Sequence, residues 1–277
     1  MVWAFEVKDL SFQYKDGTKA LDRLTLNIER GSRVALLGPN GSGKTTLLLH
    51  FNAIHPVQQG TLKVLGEVVT AKNEKWVRDQ VGLVFQDPDD QLFSSSVWED
   101  VAFGPVNQGL QGETLKERVR EALRFVNMEA YAAKVPYHLS YGQKKRVAIA
   151  GVIAMNPEMI VLDEPLAFLD PAGKRELFSL LDRLKREGKT IVMATHDVDM
   201  AVQWADKVLV MKDGRLVAEG SPRLLTDREI VESAHLEFPT VSRIFLHFPS
   251  LCGETVPATV QEAVAMIEGL LAKNESK

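Results

Sequence analysis

Residues Gly38-Pro39-Asn40-Gly41-Ser42-Gly43-Lys44-Thr45 carry the clearest chemistry in the chain. Their spacing, G-x-x-x-x-G-K-[ST], is that of a loop whose backbone amides wrap a string of phosphates. Gly41 and Gly43 have no Cβ to hold those amides away from phosphate oxygens. Lys44 would reach the β- and γ-phosphates, and the Thr45 hydroxyl would bind Mg²⁺. Residues 46–51 can open a helix, whose N-terminus adds partial positive charge at the same place. A second group, Asp163-Glu164, ends the apolar run Met159-Ile160-Val161-Leu162. Two carboxylates at the end of a buried strand emerge at the C-terminal edge of a sheet, where ligands of such sheets bind. Beside a bound triphosphate, one would hold the metal and the other, Glu164, would be general base for an attacking water.

These groups meet only if the elements carrying them lie side by side. Short apolar strand candidates recur at residues 5–10, 24–28, 34–37, 61–64, 81–85, 159–162, 190–194, 208–211 and 216–218. Several are continuous Val/Ile/Leu runs, as expected of strands buried on both faces. Between residues 97 and 155 the spacing turns helical. The expectation is an α/β fold with a mainly parallel sheet, a helical insert, and an antiparallel β flap made from the first strands. The nucleotide motifs stop near Pro222. Thr226-Asp227-Arg228-Glu229 and Thr259-Val260-Gln261-Glu262 both read as capping boxes that open helices. Ala263, Val264, Ile267, Leu270 and Leu271 fall on one face of the second, to pack against the main domain or another subunit. The expected division is a nucleotide-binding domain over 1–221, with its insert at about 97–155, and a small helical or mixed region over 222–277.

Composition narrows the class. Hydrophobic residues make up 45% and charged residues 25% of 277, the balance of a globular protein with a substantial core. A formal net charge of −4 argues against a general nucleic-acid binder. One cysteine, Cys252, rules out an internal disulfide and any multi-cysteine metal site. No stretch approaches the ~20 apolar residues that cross a bilayer. The first residues lack the layout of a signal peptide, so the expected location is the cytoplasmic face of the membrane, held there by a partner.

Between the loop and the carboxylates comes Leu139-Ser140-Tyr141-Gly142-Gln143. The three motifs in this order resemble the ATP-binding cassette (ABC) family over most of the chain. That resemblance implies a P-loop NTPase of the ABC type, with a helical signature subdomain, ATP and Mg²⁺ as cofactors, and ATP hydrolysis as the reaction. Gly38 through Thr46 would be its phosphate loop, and Asp163 matches the Walker-B carboxylate that holds Mg²⁺. Gln86 matches the Q-loop glutamine, a contact for Mg²⁺ and the attacking water, and Tyr14 lies where the family stacks an aromatic ring on adenine. His196 matches the switch histidine; its neutral imidazole is expected to bond the γ-phosphate while holding Glu164. Leu169-Asp170 matches the D-loop. Ser140 is a natural N-cap, and the helix after it would aim its N-terminus at an anion, with Gly142 and Gln143 beside it. The phosphate loop already has its own helix, so the signature must serve the opposite subunit, and two chains would close on two ATP molecules. Tyr141, for the usual glycine, and Leu166-Ala167-Phe168, for smaller or more polar residues, depart from the family pattern.

The stretch from Gln86 to Pro105 resembles ATPase subunits of energy-coupling-factor importers, where it forms the groove that receives the transmembrane scaffold; Asp89 and Asp90 would face basic scaffold residues. The run from Tyr137 to Gly151 is most similar to the cobalt/nickel branch. The implied partners are a second ATPase, identical or different, a transmembrane scaffold subunit and a membrane substrate-binding subunit. The alternatives are the ATPase of a vitamin importer or another ABC transporter. From a different class comes a soluble ABC ATPase, for example in iron–sulfur assembly.

Overall fold

The computed structural model describes residues 2–252 and 255–275. Its strands sort into two sheets according to how many faces they bury. β1 (Trp3–Gln13) mixes buried and exposed residues across its register shifts, and burial alternates along the second half of β2 (Lys19–Glu29), at Leu24, Leu26 and Ile28, which suits a sheet with one wet face. With β4 (Gln59–Val64) and β5 (Glu67–Val68) they form an antiparallel sheet of order β2-β1-β4-β5. The second sheet joins β3 (Arg33–Leu37), β6 (Val81–Val84), β7 (Met159–Asp163), β8 (Thr190–Thr195), β9 (Lys207–Lys212) and β10 (Arg215–Gly220). Its order is β10-β9-β3-β8-β7-β6, parallel except for the edge strand β10. Every residue of β6, β7 and β8 is buried, which is why these read as unbroken apolar runs. The short β5 escapes sequence reading because both its residues are exposed.

Eleven α-helices complete the described residues: α1 (Lys44–Phe51), α2 (Glu74–Gln80), α3 (Val97–Asn107), α4 (Gly112–Phe125), α5 (Tyr141–Ala154), α6 (Pro171–Arg186), α7 (Val198–Trp204), α8 (Arg228–Ser233), α9 (Thr240–Leu246), α10 (Pro249–Cys252) and α11 (Val260–Glu275). Three of them, α3, α4 and α5, fill the expected helical insert and bury Val101, Val119, Leu123, Val147 and Ile149 together. Helix α5 also lies hard against β6. A Cβ on Gly82 would stand 2.2 Å from Val152 Cγ1, so only glycine permits that approach. Phe5 of β1 stacks on Phe51 of α1 at 4.1 Å, which fastens the antiparallel sheet to the phosphate-loop helix and brings the end of β1 over it.

The C-terminal helices depart from expectation in two ways. Asp227, not Thr226, caps α8, accepting from the N–H groups of Glu229 (2.9 Å) and Ile230 (3.3 Å); Thr226 is tied up in the preceding 3-10 turn, donating to the Arg223 carbonyl. Thr259 does cap α11, but the Glu262 carboxylate reaches back to the Ala258 N–H rather than to Thr259. The apolar face of α11 is covered only in part: Ala263 is buried and Leu270 half-buried, whereas Val264, Ile267 and Leu271 are exposed. The Arg223–Glu262 ion pair at 3.0 Å adds a polar tie at its first turn.

Candidate active site

Strand register assembles the site. Leu37 of β3 pairs with Thr195 of β8, and Asp163 of β7 pairs with Ala194. Val84 of β6 pairs with Leu162. The C-terminal ends of four neighbouring strands therefore fall in one row, and the phosphate loop, Gln86, Asp163-Glu164 and His196 follow from them. A cavity of about 560 Å³ opens there, lined by Tyr14, Thr18, Lys19, Ala20, Asn40 through Thr46, Gln86, Asp163, Glu164 and His196. Gly38 and Pro39 lie outside its wall and act through their carbonyls, which accept from Lys44 Nζ at 2.7 and 3.1 Å. Gly43 caps α1 at φ +99°, and a Cβ there would stand 2.5 Å from the Ala20 carbonyl oxygen, so the turn into the helix demands glycine.

Charge in this cavity is arranged for a guest. Burial pushes the Lys44 ammonium down in pKa, opposed by the nearby Glu164 and Asp163 carboxylates. Burial pushes the Asp163 carboxyl up, opposed by the Thr45 hydroxyl, Lys44 and Lys145. Each charged form is short of solvation, which a polyphosphate and a cation would supply. Thr45 Oγ1 donates to Asp163 Oδ2 at 2.6 Å, so the two oxygen donors expected to hold a metal already touch. A hydroxyl and a carboxylate at a phosphate loop are the hard ligands Mg²⁺ prefers.

Glu164 sits at φ +41°, a left-handed backbone for a non-glycine residue, and its side chain is almost buried. Its Oε1 lies 3.0 Å from His196 Nδ1. The ring that the resemblance assigns to the switch histidine therefore stands within hydrogen-bonding reach of Glu164.

Tyr14 follows β1 in a turn; its hydroxyl bonds Thr46 Oγ1 at 3.0 Å and His55 Nε2 at 3.3 Å. The ring thus stands at the cavity with its polar end fastened to α1. Beneath it Phe12 stacks on His55 at 4.7 Å and meets His50 edge-on at 4.8 Å. Sequence reading missed Thr18, Lys19, Ala20 and this histidine pair, because nothing in their spacing separates them from ordinary turn and core residues.

His50 supplies a pH signature. Its Nδ1 bonds the Thr46 carbonyl at 2.7 Å, which fixes the proton there, and the buried Nε2 has no hydrogen-bond partner among the described residues. Burial holds its pKa down to about 4. An unfolded histidine titrates near 6.5, so between those values the unfolded chain binds a proton the native chain does not. Stability is therefore expected to fall as pH drops from about 6.5 to about 4, by about 3 kcal/mol in all, and then to level off. Melting curves across this range should show the loss, and His50→Phe should flatten it.

Ser140, Gly142, Gln143 and Asp170 are not in this cavity. They line a separate one of about 520 Å³ between α5 and α6, and the two share no residue. Ser140 caps α5 in a full capping box: its hydroxyl accepts from the Gln143 N–H (3.3 Å), and Gln143 Oε1 accepts from the Ser140 N–H (3.0 Å). Gln143 thus shapes the helix start. Asp170 caps α6, accepting from the Gly173 N–H at 2.7 Å.

Residues 21–167 match the family described as ABC transporter. The chain belongs to the ABC transporter family. Among curated ABC relatives, the energy-coupling factor transporter ATP-binding protein EcfA of Carboxydothermus hydrogenoformans is 47% identical over 260 residues, spanning 94% of this chain and 96% of the relative. Such relatives place it, within the ABC family, among the energy-coupling factor transporter ATP-binding proteins. The solved structure of cbiO1 from Clostridium perfringens, part of the ABC transporter complex cbiONQ, is similar with a TM-score of 0.76 and 40% identity, over 90% of this chain and 97% of that one. A dimeric ATP-binding cassette in a post-hydrolysis state, bound to ADP and Pi, is similar with a TM-score of 0.73 and 29% identity, over 79% of this chain and 99% of that one. The chain is an ABC ATPase, an enzyme that binds and hydrolyses ATP in the service of transport. No helix among the described residues is long and apolar enough to cross a membrane.

Proposed function

We propose that this ATPase powers an energy-coupling-factor importer of cobalt or nickel ions from the cytoplasmic face of the membrane, with two cassettes sandwiching two molecules of ATP. The sandwich reading is supported by the two separate cavities. One holds Lys44, Thr45, Asp163, Glu164 and His196; the other holds Ser140 and Asp170. Neither is complete alone. In the closed pair, Lys44 and the loop amides bind the triphosphate, Tyr14 stacks on the base, and the partner's signature helix faces the γ-phosphate. Glu164 takes a proton from the attacking water, and His196 and Gln86 hold that water in line. Thr45, Asp163 and Gln86 would hold Mg²⁺, which neutralises charge developing on the β- and γ-oxygens. The uncovered face of α11 is a further surface the second subunit would bury.

The observation that carries the transport reading is the groove after Gln86. It has a volume of about 350 Å³, runs between β6, α3 and α5, and is largely apolar, with Phe85, Leu92, Phe93 and Phe103 along it. Phe93 is 69% and Phe103 52% exposed, and the two rings meet edge-on at 5.0 Å. Asp90 stands at its rim, whereas Asp89 is engaged by Lys144 at 2.6 Å within the chain. Such a groove suits helices of a transmembrane scaffold. Cobalt or nickel as cargo is supported by the similarity to the cobalt/nickel branch from Tyr137 to Gly151.

The test is recovery of the chain from its native membranes in mild detergent, with copurifying subunits identified by mass spectrometry. A multi-span scaffold and a small substrate-binding membrane protein are expected. Phe93→Asp with Phe103→Asp should release the scaffold, at about 2 kcal/mol or more per ring, and leave ATP affinity intact. Retention of the scaffold by that double variant would sink the groove assignment, and a chain recovered without any membrane protein would sink the transport reading.

A further inference from the structure

In a single chain, Gln86 belongs to the cavity of its own phosphate loop, and Ser140 belongs to the other cavity. Tyr141 joins them. Its backbone is the first residue of α5, directly after Ser140, and its hydroxyl donates to the carbonyl oxygen of Gln86 at 3.1 Å. One turn further on, Lys145 donates to the same carbonyl and reaches the Phe85 carbonyl at 3.5 Å. Lys145 is almost wholly buried, and its ammonium lies 5.7 Å from the Tyr141 ring. Lys144 adds its ion pair to Asp89. Three side chains from the first turns of α5 thus grip the segment from Phe85 to Asp89.

The other side of the tyrosine meets the D-loop. Its ring lies edge-on to Phe168 at 5.7 Å. Phe168 is 82% exposed and sits at φ +61°, immediately before Leu169-Asp170. A phenylalanine in that conformation, held in water, is an unusual choice. Here it gives the Tyr141 ring its second neighbour. A glycine at position 141 would make neither contact.

We propose that Tyr141 is a positioning residue that couples the two ATP sites of the dimer. When Gln86 moves onto nucleotide in its own cavity, its carbonyl carries the tyrosine hydroxyl with it. Ser140, one peptide bond away, is thereby set for the nucleotide held by the second copy of the chain. The link works in both directions, as binding linkage requires. The inference rests on the sandwich reading above.

The experiment uses Tyr141→Phe, which keeps the ring, its packing on Phe168 and the Lys145 bonds, and removes one hydroxyl. In the monomeric chain, a non-hydrolysable ATP analogue should slow hydrogen exchange at amides 141–146. Tyr141→Phe should bind the analogue equally well and lose most of that slowing. In the Glu164→Gln background, Tyr141→Phe should raise the ATP concentration that gives half-maximal dimer by about three- to tenfold, the scale of one hydrogen bond. If Tyr141→Phe leaves both readouts as they were, the tyrosine is only a brace and the proposal is wrong. If Glu164→Gln itself stays monomeric at saturating ATP, the sandwich reading fails, and coupling between sites fails with it; the exchange readout then shows separately whether the link exists within one chain.

Discussion

Glu164→Gln is expected to leave ATP binding intact and to cut turnover roughly a hundred- to ten-thousandfold, the scale of losing a positioned general base. The carboxylate is buried beside Thr45, Asp163 and Lys44 and accepts nothing from the phosphate loop, so the amide changes the chemistry without disturbing the cradle. The amide oxygen can still accept from His196 Nδ1 at the 3.0 Å now spanned by the carboxylate. Product forms only slowly, and the chain should accumulate as an ATP-bound dimer. Light scattering with Mg²⁺ and ATP reads the dimer, and phosphate release reads turnover. Full turnover in this variant would remove Glu164 from the base role.

Lys44→Met is expected to weaken ATP binding by about 2–5 kcal/mol, or roughly thirty- to several-thousandfold, because the methionine keeps the stem and loses the charge that meets the phosphates. Folding should be little affected. Without nucleotide, the ammonium is buried and bonded to the Gly38 and Pro39 carbonyls. Removing it strands those acceptors, a cost of about 1–3 kcal/mol, and also relieves the burial of a cation, which acts in the opposite direction. Calorimetric titration gives the affinity and thermal melting gives the stability. A variant that melts like the parent yet binds ATP as tightly would overturn the role of Lys44.

What could be read from sequence followed local chemistry. The phosphate loop was legible because glycines at fixed offsets, a lysine and a hydroxyl leave few other folds for eight residues. The strands ending in Asp163 and Thr195 were legible because burial on both faces excludes polar residues. Ser140 as an N-cap was legible because capping is settled within one turn. Contacts between distant segments were not. The Tyr141 bond to Gln86 spans 55 residues, and the Tyr14 bond to His55 spans 41, with no periodicity to mark either. The α11 stripe shows the opposite limit. Its helical spacing is correct, but an amphipathic pattern records that a face is apolar and not which surface covers it. For His196, the strand end located the ring, and its 3.0 Å distance to Glu164 came only from the fold.

The groove beside Gln86 bears on how the chain is made. With Phe93 and Phe103 in water, a copy lacking its partner carries a sticky patch, and apolar surface of that kind draws chains to one another. Surplus copies would therefore be a burden on the cell, prone to clumping and to disposal by chaperones and proteases. If a membrane scaffold covers the groove as proposed, matched synthesis of the two would keep the surplus small. The two aromatic rings that would suit the chain for that partner would then also favour a fixed ratio in which the two are produced.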